Sequence, residues 1–277
     1  MSLESAVLES SAGEKLLLLD FDGTVCLGDD PVLGYAAQVD RLLAQRNLQA
    51  PGGGVRDAVS RALDERALLV PEIRFDDSGH PVGVEREPDL DTGKAHPLSW
   101  PLQDGYQLTQ LLAVQAGLSH ELCGEAFREG RRVLIGRGFE NSDVHTPQGL
   151  PELLAQLRGQ CRVVLATNSP AEAFEPWLEH LGLTDSFDLV INSSRKPFGM
   201  PDVVARARQA ARGGLAPSEN VLSVGDIWLN DLEHVHEIGG QTVMIDRFGT
   251  GLGAPGCRVR EADDAVVQMR HWACVSV

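Results

Sequence analysis

Short apolar runs alternate with amphipathic helical patterns along most of the chain. The run KLLLLDF at 15–21 has consecutive apolar residues, which is typical of a strand buried on both faces of a parallel sheet. Similar runs recur downstream, with helical patterns between them. This alternation predicts an α/β fold with a doubly wound parallel sheet, because parallel strands need crossover connections. The other predicted strands are 161–167, 188–192, 220–226 and 241–246.

The stretch between the first two predicted strands has a different pattern. It is mostly helical, but it contains a polar segment rich in glycine and proline, in which a hairpin is predicted to turn at 77–79. The change predicts that residues 28–144 form an inserted, mostly helical cap domain on a Rossmann-like core of 1–27 and 145–277. Predicted cap helices lie near 31–46, 55–69, 105–116 and 120–136, and core helices lie near 147–158, 170–183, 201–214 and 231–240.

The composition argues against some classes of binding partner and favours one type of cellular compartment. The formal net charge is -16, which argues against nucleic acid and anionic membranes as partners, because both attract basic surfaces. Five cysteines without a CxxC pair favour a reducing compartment over a disulfide framework. The chain begins without a basic, apolar leader pattern, and no apolar run reaches the length of a membrane span. We therefore expect a cytoplasmic protein, while the sequence is silent on its oligomeric state.

Polar and charged residues recur where the predicted strands end. Asp20 and Asp22 follow the first strand, Asp226 ends the fourth, and Asp231 comes shortly after it. Because parallel strands end at one edge of a sheet, these carboxylates are expected to converge there. Buried carboxylates repel one another and cost several kcal/mol unless they are neutralised. Hard oxygen ligands favour Mg²⁺, so the sequence predicts a magnesium site at this edge.

Two further residues complete the predicted site. Thr167 ends the second strand, and Lys196 follows the third. The chain has only three lysines against 21 arginines, so a lysine at this edge is more notable than in a lysine-rich protein. The alternatives are that Thr167 is an ordinary β-branched strand residue and that Lys196 is a solvated surface lysine.

Four blocks of the sequence resemble, in order, the four motifs of the haloacid dehalogenase-like hydrolases. They are DFDGTV from Asp20, VVLATN ending in Thr167 and Asn168, the Lys196-Pro197 pair, and VGDIWLND with Asp226 and Asp231. The resemblance covers the whole predicted core and implies a cap inserted after the first motif. Four blocks at successive strand ends are a far more specific signal than one short motif.

The resemblance implies a role for each catalytic residue. Asp20 is the nucleophile that forms an aspartyl-phosphate, and Asp22 is the general acid that later acts as a base. Thr167 and the backbone amide of Asn168 hold phosphoryl oxygens, and Lys196 offsets the charge on the nucleophile and the phosphoryl group. Two neighbouring carboxyl groups in different environments can hold the opposite protonation states that this chemistry needs.

The resemblance also implies the ligands of the metal. Mg²⁺ takes an Asp20 oxygen, the Asp22 backbone carbonyl and Asp226, and it clamps the phosphate. Asp231 either ligates through water or orients Lys196. A plainer interpretation of Asp231 is a helix-start acid favoured by the helix dipole, and the two interpretations are compatible.

Asp22 distinguishes the reactions that the family performs. Members that cleave carbon–halogen bonds lack this second aspartate, so the chain resembles the phosphatase branch, and the expected substrate is a small phosphorylated metabolite. A sugar phosphomutase of the same superfamily remains an alternative, because it shares all four blocks. A non-catalytic binding or regulatory protein is the second alternative, which the intact set of site residues disfavours.

Two local patterns make further predictions outside the four motifs. SPAE at 169–172 fits a capping box, so Ser169 is interpreted as the structural N-cap of a helix. Substrate specificity is expected in the cap, where an aromatic residue would stack on the substrate or an arginine would hold a second anion. Each cap candidate is weighed against ordinary packing or a solvated basic helix face. These candidates are Trp100, Asp104, Tyr106, Arg131, Arg132 and Arg137.

Overall fold

The core is a six-stranded, wholly parallel sheet in the order β6-β5-β1-β7-β8-β9. It is seen in a computed structural model that describes residues 13–50, 53–68, 73–75, 81–83, 99–100, 102–211 and 214–274. The strands are β1 (Lys15–Leu19), β2 (Ile73–Phe75), β3 (Pro81–Gly83), β4 (Ser99–Trp100), β5 (Cys161–Ala166), β6 (Leu189–Ile191), β7 (Val221–Gly225), β8 (Gln241–Ile245) and β9 (Cys257–Val259).

Helices cover the sheet and form the segment inserted after β1. None of the described helices is both long and apolar enough to cross a lipid bilayer. The helices are α1 (Asp30–Gln45), α2 (Val55–Asp64), α3 (Gly105–Gln115), α4 (His120–Arg137), α5 (Leu150–Leu157), α6 (Glu175–His180), α7 (Met200–Gln209), α8 (Glu233–Glu237) and α9 (Ala262–Ala273), and the π-helical turn Trp228–Leu232 precedes α8.

Strand β1 lies at the centre of the sheet, and this position explains its run of leucines. It pairs with β5 on one side and β7 on the other, with Leu17 opposite Val163 and Leu222. Leu17 and Leu19 pack into the core under α5, α6 and α9, while the alternate leucines Leu16 and Leu18 pack under α7 and α8. A strand with helices on both faces must be apolar at every position, as predicted.

The inserted helices α1–α4 bury a separate apolar cluster. Helices α1 and α4 approach closely at Gly34 and Gly130, where a Cβ on Gly130 would lie 2.8 Å from the backbone nitrogen of Tyr35. A small three-stranded sheet in the order β3-β2-β4 accompanies them. The antiparallel pairing of β2 with β3 agrees with the predicted hairpin, whose turn at 77–79 lies outside the described residues.

The α/β fold with a doubly wound Rossmann-like sheet is confirmed, but several element boundaries differ from the prediction. Strand β9 was not predicted, because a three-residue strand near glycines gives little periodic signal. Helix α9 was not predicted either, although its apolar residues recur at helical spacing. The helix predicted from Pro170 begins only at Glu175. The capping box assigned to Ser169 is therefore wrong, for a reason that the site makes clear.

Candidate active site

The predicted site residues meet at the carboxyl edge of the sheet. Asp20 directly follows β1, Thr167 follows β5 and Asp226 follows β7. Lys196 reaches the same place from the loop after β6. All four are largely shielded from solvent, so the charges of Asp20, Asp226 and Lys196 interact through protein more than through water.

Lys196 connects the two acidic motifs. Its Nζ lies 2.6 Å from Asp20 Oδ1 and 2.6 Å from Asp231 Oδ1, and it donates to the carbonyl of Ala166 at 2.9 Å. Only 3% of the lysine side chain is exposed. Burial opposes the ammonium charge, but the two carboxylates outweigh it and raise the pKa of Lys196. The lysine is therefore a fixed positive charge beside Asp20.

The side chain of Asn168 holds the loop that carries Lys196. Its Nδ2 donates to the Lys196 carbonyl at 3.0 Å, and its Oδ1 accepts from the Lys196 backbone N–H at 2.7 Å. The sequence drew attention only to the backbone amide of Asn168. This two-way contact aligns the loops after β5 and β6, so the two motifs support each other.

Three carboxylates form a cluster with the chemistry of a divalent-cation site. One ligand oxygen from each of Asp20, Asp226 and Asp231 lies within 4.8 Å of the others. Burial raises the pKa of Asp226 well above its usual value, and the nearby carboxylates add to the effect. Gly23, at φ +85°, leaves room for Asp226, because a Cβ there would lie 2.2 Å from Asp226 Oδ2. These hard oxygen donors fit Mg²⁺.

Asp231 contributes mainly through Lys196. Its Oδ1 accepts from Lys196, and its Oδ2 accepts from the backbone N–H of Ile227 at 3.0 Å. Burial raises the pKa of Asp231 to about 6, although Lys196 opposes the shift. Since both oxygens already hold donors, the geometry fits orientation of Lys196 better than direct ligation of a metal.

The side chain of Asp22 is held by residues outside the three-carboxylate cluster. Its Oδ2 accepts from the Ser169 hydroxyl at 3.0 Å, and its Oδ1 accepts from the Tyr106 hydroxyl at 3.2 Å. Arg131 Nη1 lies 3.4 Å from the same Oδ1. Burial raises the pKa of Asp22, while Arg131 opposes the rise. Asp20 and Asp22 thus occupy different surroundings, and only the backbone carbonyl of Asp22 remains as its ligand for a metal.

Comparison with protein families agrees with this geometry. A family model described as a haloacid dehalogenase-like hydrolase matches residues 14–234, which is most of the chain. The chain belongs to the haloacid dehalogenase-like hydrolases.

The individual relatives share little sequence identity with this chain. A phosphoglycolate phosphatase of Nitrosococcus oceani is 27% identical over 129 residues, which cover 46% of this chain and 56% of the relative. The match therefore spans little more than half of that protein. A predicted phosphoglycolate phosphatase from Haemophilus somnus 129PT has a TM-score of 0.55 at 15% identity, over 94% of this chain and 100% of the other.

A third relative comes from Bacillus subtilis. The haloacid dehalogenase-like hydrolase YfnB has a TM-score of 0.50 at 16% identity, with coverage of 95% of this chain and 100% of the other. At these identities the two solved structures show a common fold with this hydrolase.

In this hydrolase Ser169 belongs to the site and is not a helix cap. Its hydroxyl donates to Asp22, and its backbone N–H donates to Thr167 Oγ1 at 3.0 Å. Residues 170–174 are not helical, and α6 starts at Glu175 with a proline in its first turn. The local SPAE pattern failed because a carboxylate 147 positions away is the partner of the hydroxyl.

The cap candidates divide into residues at the site and residues away from it. Tyr106 and Arg131 reach Asp22, and buried Asp104 accepts from the Gln107 N–H at the start of α3. Arg131 is also buried against the core, with its guanidinium carbon 3.8 Å from the ring centre of Trp177. Arg132 and Arg137 are exposed, and the side chain of Trp100 lies outside the described residues.

A cavity of about 320 Å³ lies between the core and the cap. Its core side includes Asp20, Thr167 and Lys196, and its cap side includes Tyr35 and Phe127. Tyr35, Tyr106 and Phe127 pack ring against ring, with centroids 5.7 to 6.5 Å apart. The hydrolase therefore has packed aromatic side chains on the cap side of this cavity, opposite its acidic edge.

Proposed function

We propose that this hydrolase is a Mg²⁺-dependent phosphomonoesterase that acts on a small phosphorylated metabolite through an aspartyl-phosphate. One observation carries the proposal: Lys196 bridges Asp20 and Asp231 at the sheet edge, while Asp22 lies in a separate, cap-facing environment. Lys196 places its positive charge beside Asp20, whereas burial raises the pKa of Asp22, so the two carboxyl groups have different surroundings. A nucleophile and a general acid require this difference.

The residues support a two-step displacement. An Asp20 oxygen forms a bond to phosphorus while the bond from phosphorus to the ester oxygen breaks, and Asp22 gives its proton to the leaving alkoxide. Asp22 then takes a proton from water, the water oxygen bonds to phosphorus, and Asp20 is released together with inorganic phosphate. Thr167 and the backbone amide of Asn168 hold the phosphoryl oxygens in both steps.

Mg²⁺ would be held by Asp20, Asp226 and the backbone carbonyl of Asp22, near Asp231. Bound there, it would offset negative charge on the carboxylates and the phosphoryl group. The three-carboxylate cluster supports this assignment, because its excess negative charge is only partly balanced by Lys196. The Bacillus subtilis relative is described as bound to magnesium.

The second aspartate supports phosphoryl transfer over the other reaction of the family. Hydrolysis of a carbon–halogen bond needs no proton donor for an alkoxide, whereas the proposed role of Asp22 is to supply that proton. Two relatives are described as phosphoglycolate phosphatases, which supports a phosphomonoesterase. Phosphoglycolate is one candidate substrate on this ground alone.

Phosphate release from a panel of phosphorylated metabolites and an aryl phosphate tests the proposal, with Mg²⁺ or EDTA present. We expect metal-dependent release that Asp20→Asn abolishes, with a loss beyond the roughly 10²–10³ typical of one electrostatic donor. Asp202→Asn, which changes an exposed acid on α7, is the matched control and should keep activity.

Two other results would contradict the proposal. Recovery of an isomeric sugar phosphate from a hexose 1-phosphate, in place of inorganic phosphate, would indicate the mutase alternative. Absence of turnover with every compound, together with unchanged ligand binding in Asp20→Asn, would favour a non-catalytic binding protein.

A further inference from the structure

The segment that follows β7 carries two of the site acids. Asp226 directly follows the strand, and Asp231 lies within the π-helical turn Trp228–Leu232. Residues 226–232 are called the acidic turn below. Asp226 is a proposed ligand of Mg²⁺, and Asp231 accepts from Lys196, so the path of this backbone sets where both carboxylates lie. Single π-helical turns are frequent at functional sites.

Core contacts hold part of the acidic turn. The backbone N–H of Ile227 donates to Asp231 Oδ2 at 3.0 Å, and the hydroxyl of Ser223 on β7 donates to the Asp231 carbonyl at 2.7 Å. The indole of Trp228 is buried in a small apolar cluster of the core. As the first residue of a helical turn, however, Trp228 has a backbone N–H that the turn itself does not bind.

The partner of this N–H comes from the cap. The Oε1 atom of Gln103, which lies just before α3, accepts from the Trp228 N–H at 3.0 Å across 125 positions of sequence. Gln103 is only 4% exposed, so this bond is shielded from water. The backbone N–H of Gln103 donates to Gln107 Oε1 at 2.8 Å. The start of α3 thus fixes Gln103, and Gln103 binds the acidic turn.

Packing alone does not account for a glutamine at position 103. Its Nε2 atom is buried and has no hydrogen-bond partner among the described residues, which is unfavourable for a donor. A methionine of similar length would bury no polar donor, but its sulfur is only a weak acceptor. Because a backbone N–H can only donate, the atom that faces Trp228 must be the oxygen of the amide. The acceptor is therefore the part of the side chain that contributes to the site.

The same segment of the cap also reaches Asp22. The Tyr106 hydroxyl donates to Asp22 Oδ1 at 3.2 Å. Gln103 and Tyr106 are three positions apart, so the start of α3 contacts both the acid that follows β1 and the turn that follows β7. These two strands are neighbours in the sheet. One short stretch of the cap is therefore bonded to both acidic motifs.

We propose that Gln103 is a positioning residue, which fixes the acidic turn in the arrangement in which Asp226 binds Mg²⁺ and Asp231 orients its lysine. Through Gln103, the cap contributes to the geometry of the metal site as well as covering the substrate. This inference rests on the proposed phosphomonoesterase function, because it concerns the same site.

Mg²⁺ binding and turnover together test the inference. Gln103→Met removes the strong acceptor at nearly constant volume. We expect it to weaken Mg²⁺ binding, measured by calorimetry with the metal alone, by about tenfold, and to lower kcat on an aryl phosphate by about tenfold. The KM should change by less than about twofold, because the residues proposed to hold the phosphoryl oxygens are not altered. Gln103→Asn, which withdraws the amide by one methylene group, is a second variant with the same expected losses.

Thr109→Val is the matched control for stability. Thr109 is buried on α3, and its hydroxyl donates to the Gly105 carbonyl at 2.8 Å within the same helix. The control therefore also loses one buried hydrogen bond of this segment, but none to the acidic turn. We expect urea unfolding to show a similar loss of stability for Thr109→Val and Gln103→Met, while Thr109→Val keeps the Mg²⁺ affinity and the kcat of the wild type.

The outcomes separate this inference from the function on which it rests. Wild-type Mg²⁺ affinity and kcat in a folded Gln103 variant would overturn the inference and leave the phosphomonoesterase function standing. Equal losses in Thr109→Val would also overturn it, because general destabilisation would then explain both variants. Absence of both Mg²⁺ binding and aryl phosphate turnover in the wild type would overturn the proposed function, and the inference would fall with it.

Discussion

The core side and the cap side of the cavity differ in the side chains that they present. On the core side, Lys196 is held by Asp20, Asp231 and a backbone carbonyl. On the cap side, the rings of Tyr35, Tyr106 and Phe127 pack against one another. Paired charges can stabilise a charged reaction without rearranging, whereas aromatic rings offer a ligand apolar contact and stacking. This difference supports fixed chemistry on the core side and substrate selection on the cap side.

The two sides meet at Asp22. The aspartate follows a core strand, yet two of its contacts, Tyr106 and Arg131, come from helices of the inserted segment. The third, Ser169, comes from the core. A substitution on either side of the cavity can therefore alter Asp22, the general acid of the proposed reaction. Substitutions around Asp22 test whether the core side carries the chemistry and the cap side the substrate selection.

The largest expected effect is on the core side. Lys196→Met leaves Asp20 and Asp231 buried beside each other without their shared cation, so we expect kcat/KM to fall by at least about 10³-fold. Phosphate release with Mg²⁺ measures the loss, and urea unfolding shows whether the variant is folded. Lys15→Met, at the end of the central strand β1 opposite to Asp20, is the control. Turnover close to that of the wild type would refute the role of Lys196.

The second-largest loss of activity is expected at Asp22, and its size should depend on the leaving group of the substrate. Asp22→Asn removes the proton donor, so we expect a loss of about 10²–10³-fold on alkyl phosphates. The loss on an aryl phosphate should be smaller, because its leaving group needs little protonation. The ratio of the two losses in parallel assays is the measurement. Equal losses on both substrates would count against general acid catalysis by Asp22.

A smaller effect is expected where the cap contacts the core. Arg131→Gln removes a buried cation from Asp22 and from the face of Trp177, a contact class worth up to about 2 kcal/mol. We expect a comparable loss in the free energy of unfolding and about a tenfold loss of kcat/KM on alkyl phosphates. Urea unfolding and steady-state kinetics measure both quantities.

The neighbouring arginine provides the control for this prediction. Arg132 is exposed and pairs only with Glu129 among the described residues, so Arg132→Gln should change stability by less than about 1 kcal/mol. Similar results for the two variants would show that the buried position of Arg131 has no special role.

The smallest effect is on thermal stability and depends on pH. Burial raises the pKa of Asp104 to about 7 and that of Asp231 to about 6, from 3.8. The folded protein thus binds protons that the unfolded chain releases, so these groups favour folding most below about pH 4. That contribution falls as the pH rises toward 7. We therefore expect the Tm of the protein in EDTA to fall between pH 5 and pH 8.

Mg²⁺ should act against this fall. At a hundred times its Kd, a ligand that binds only the folded state adds about 2.7 kcal/mol, or several degrees in Tm. Because Mg²⁺ binds ionised carboxylates, its effect on Tm should be larger at pH 8 than at pH 5. Thermal scans with Mg²⁺ or EDTA at both pH values measure it. An equal shift at both would argue against a cation site at these acids.

Much of the core could be predicted from the sequence because its signals are local. Strand β1 shows its position through consecutive leucines, and the site acids follow strands whose ends must lie at one edge. The short β9 was missed, because Cys257 and Val259 are its only apolar residues. Helix α9 was missed although Ala262, Ala265, Val266 and Met269 follow the spacing of one helix face.

The parallel sheet, the order of the four motifs and the side chains that meet at the sheet edge could all be predicted from the sequence. The contacts of Asp22 could not, because they join residues 84, 109 and 147 positions apart and depend on how the chain packs. The role of Ser169 at the site could not be predicted either, because a local capping pattern could not reveal a distant carboxylate. Periodicity records which face of an element is buried, but contacts between distant segments depend on how the elements pack.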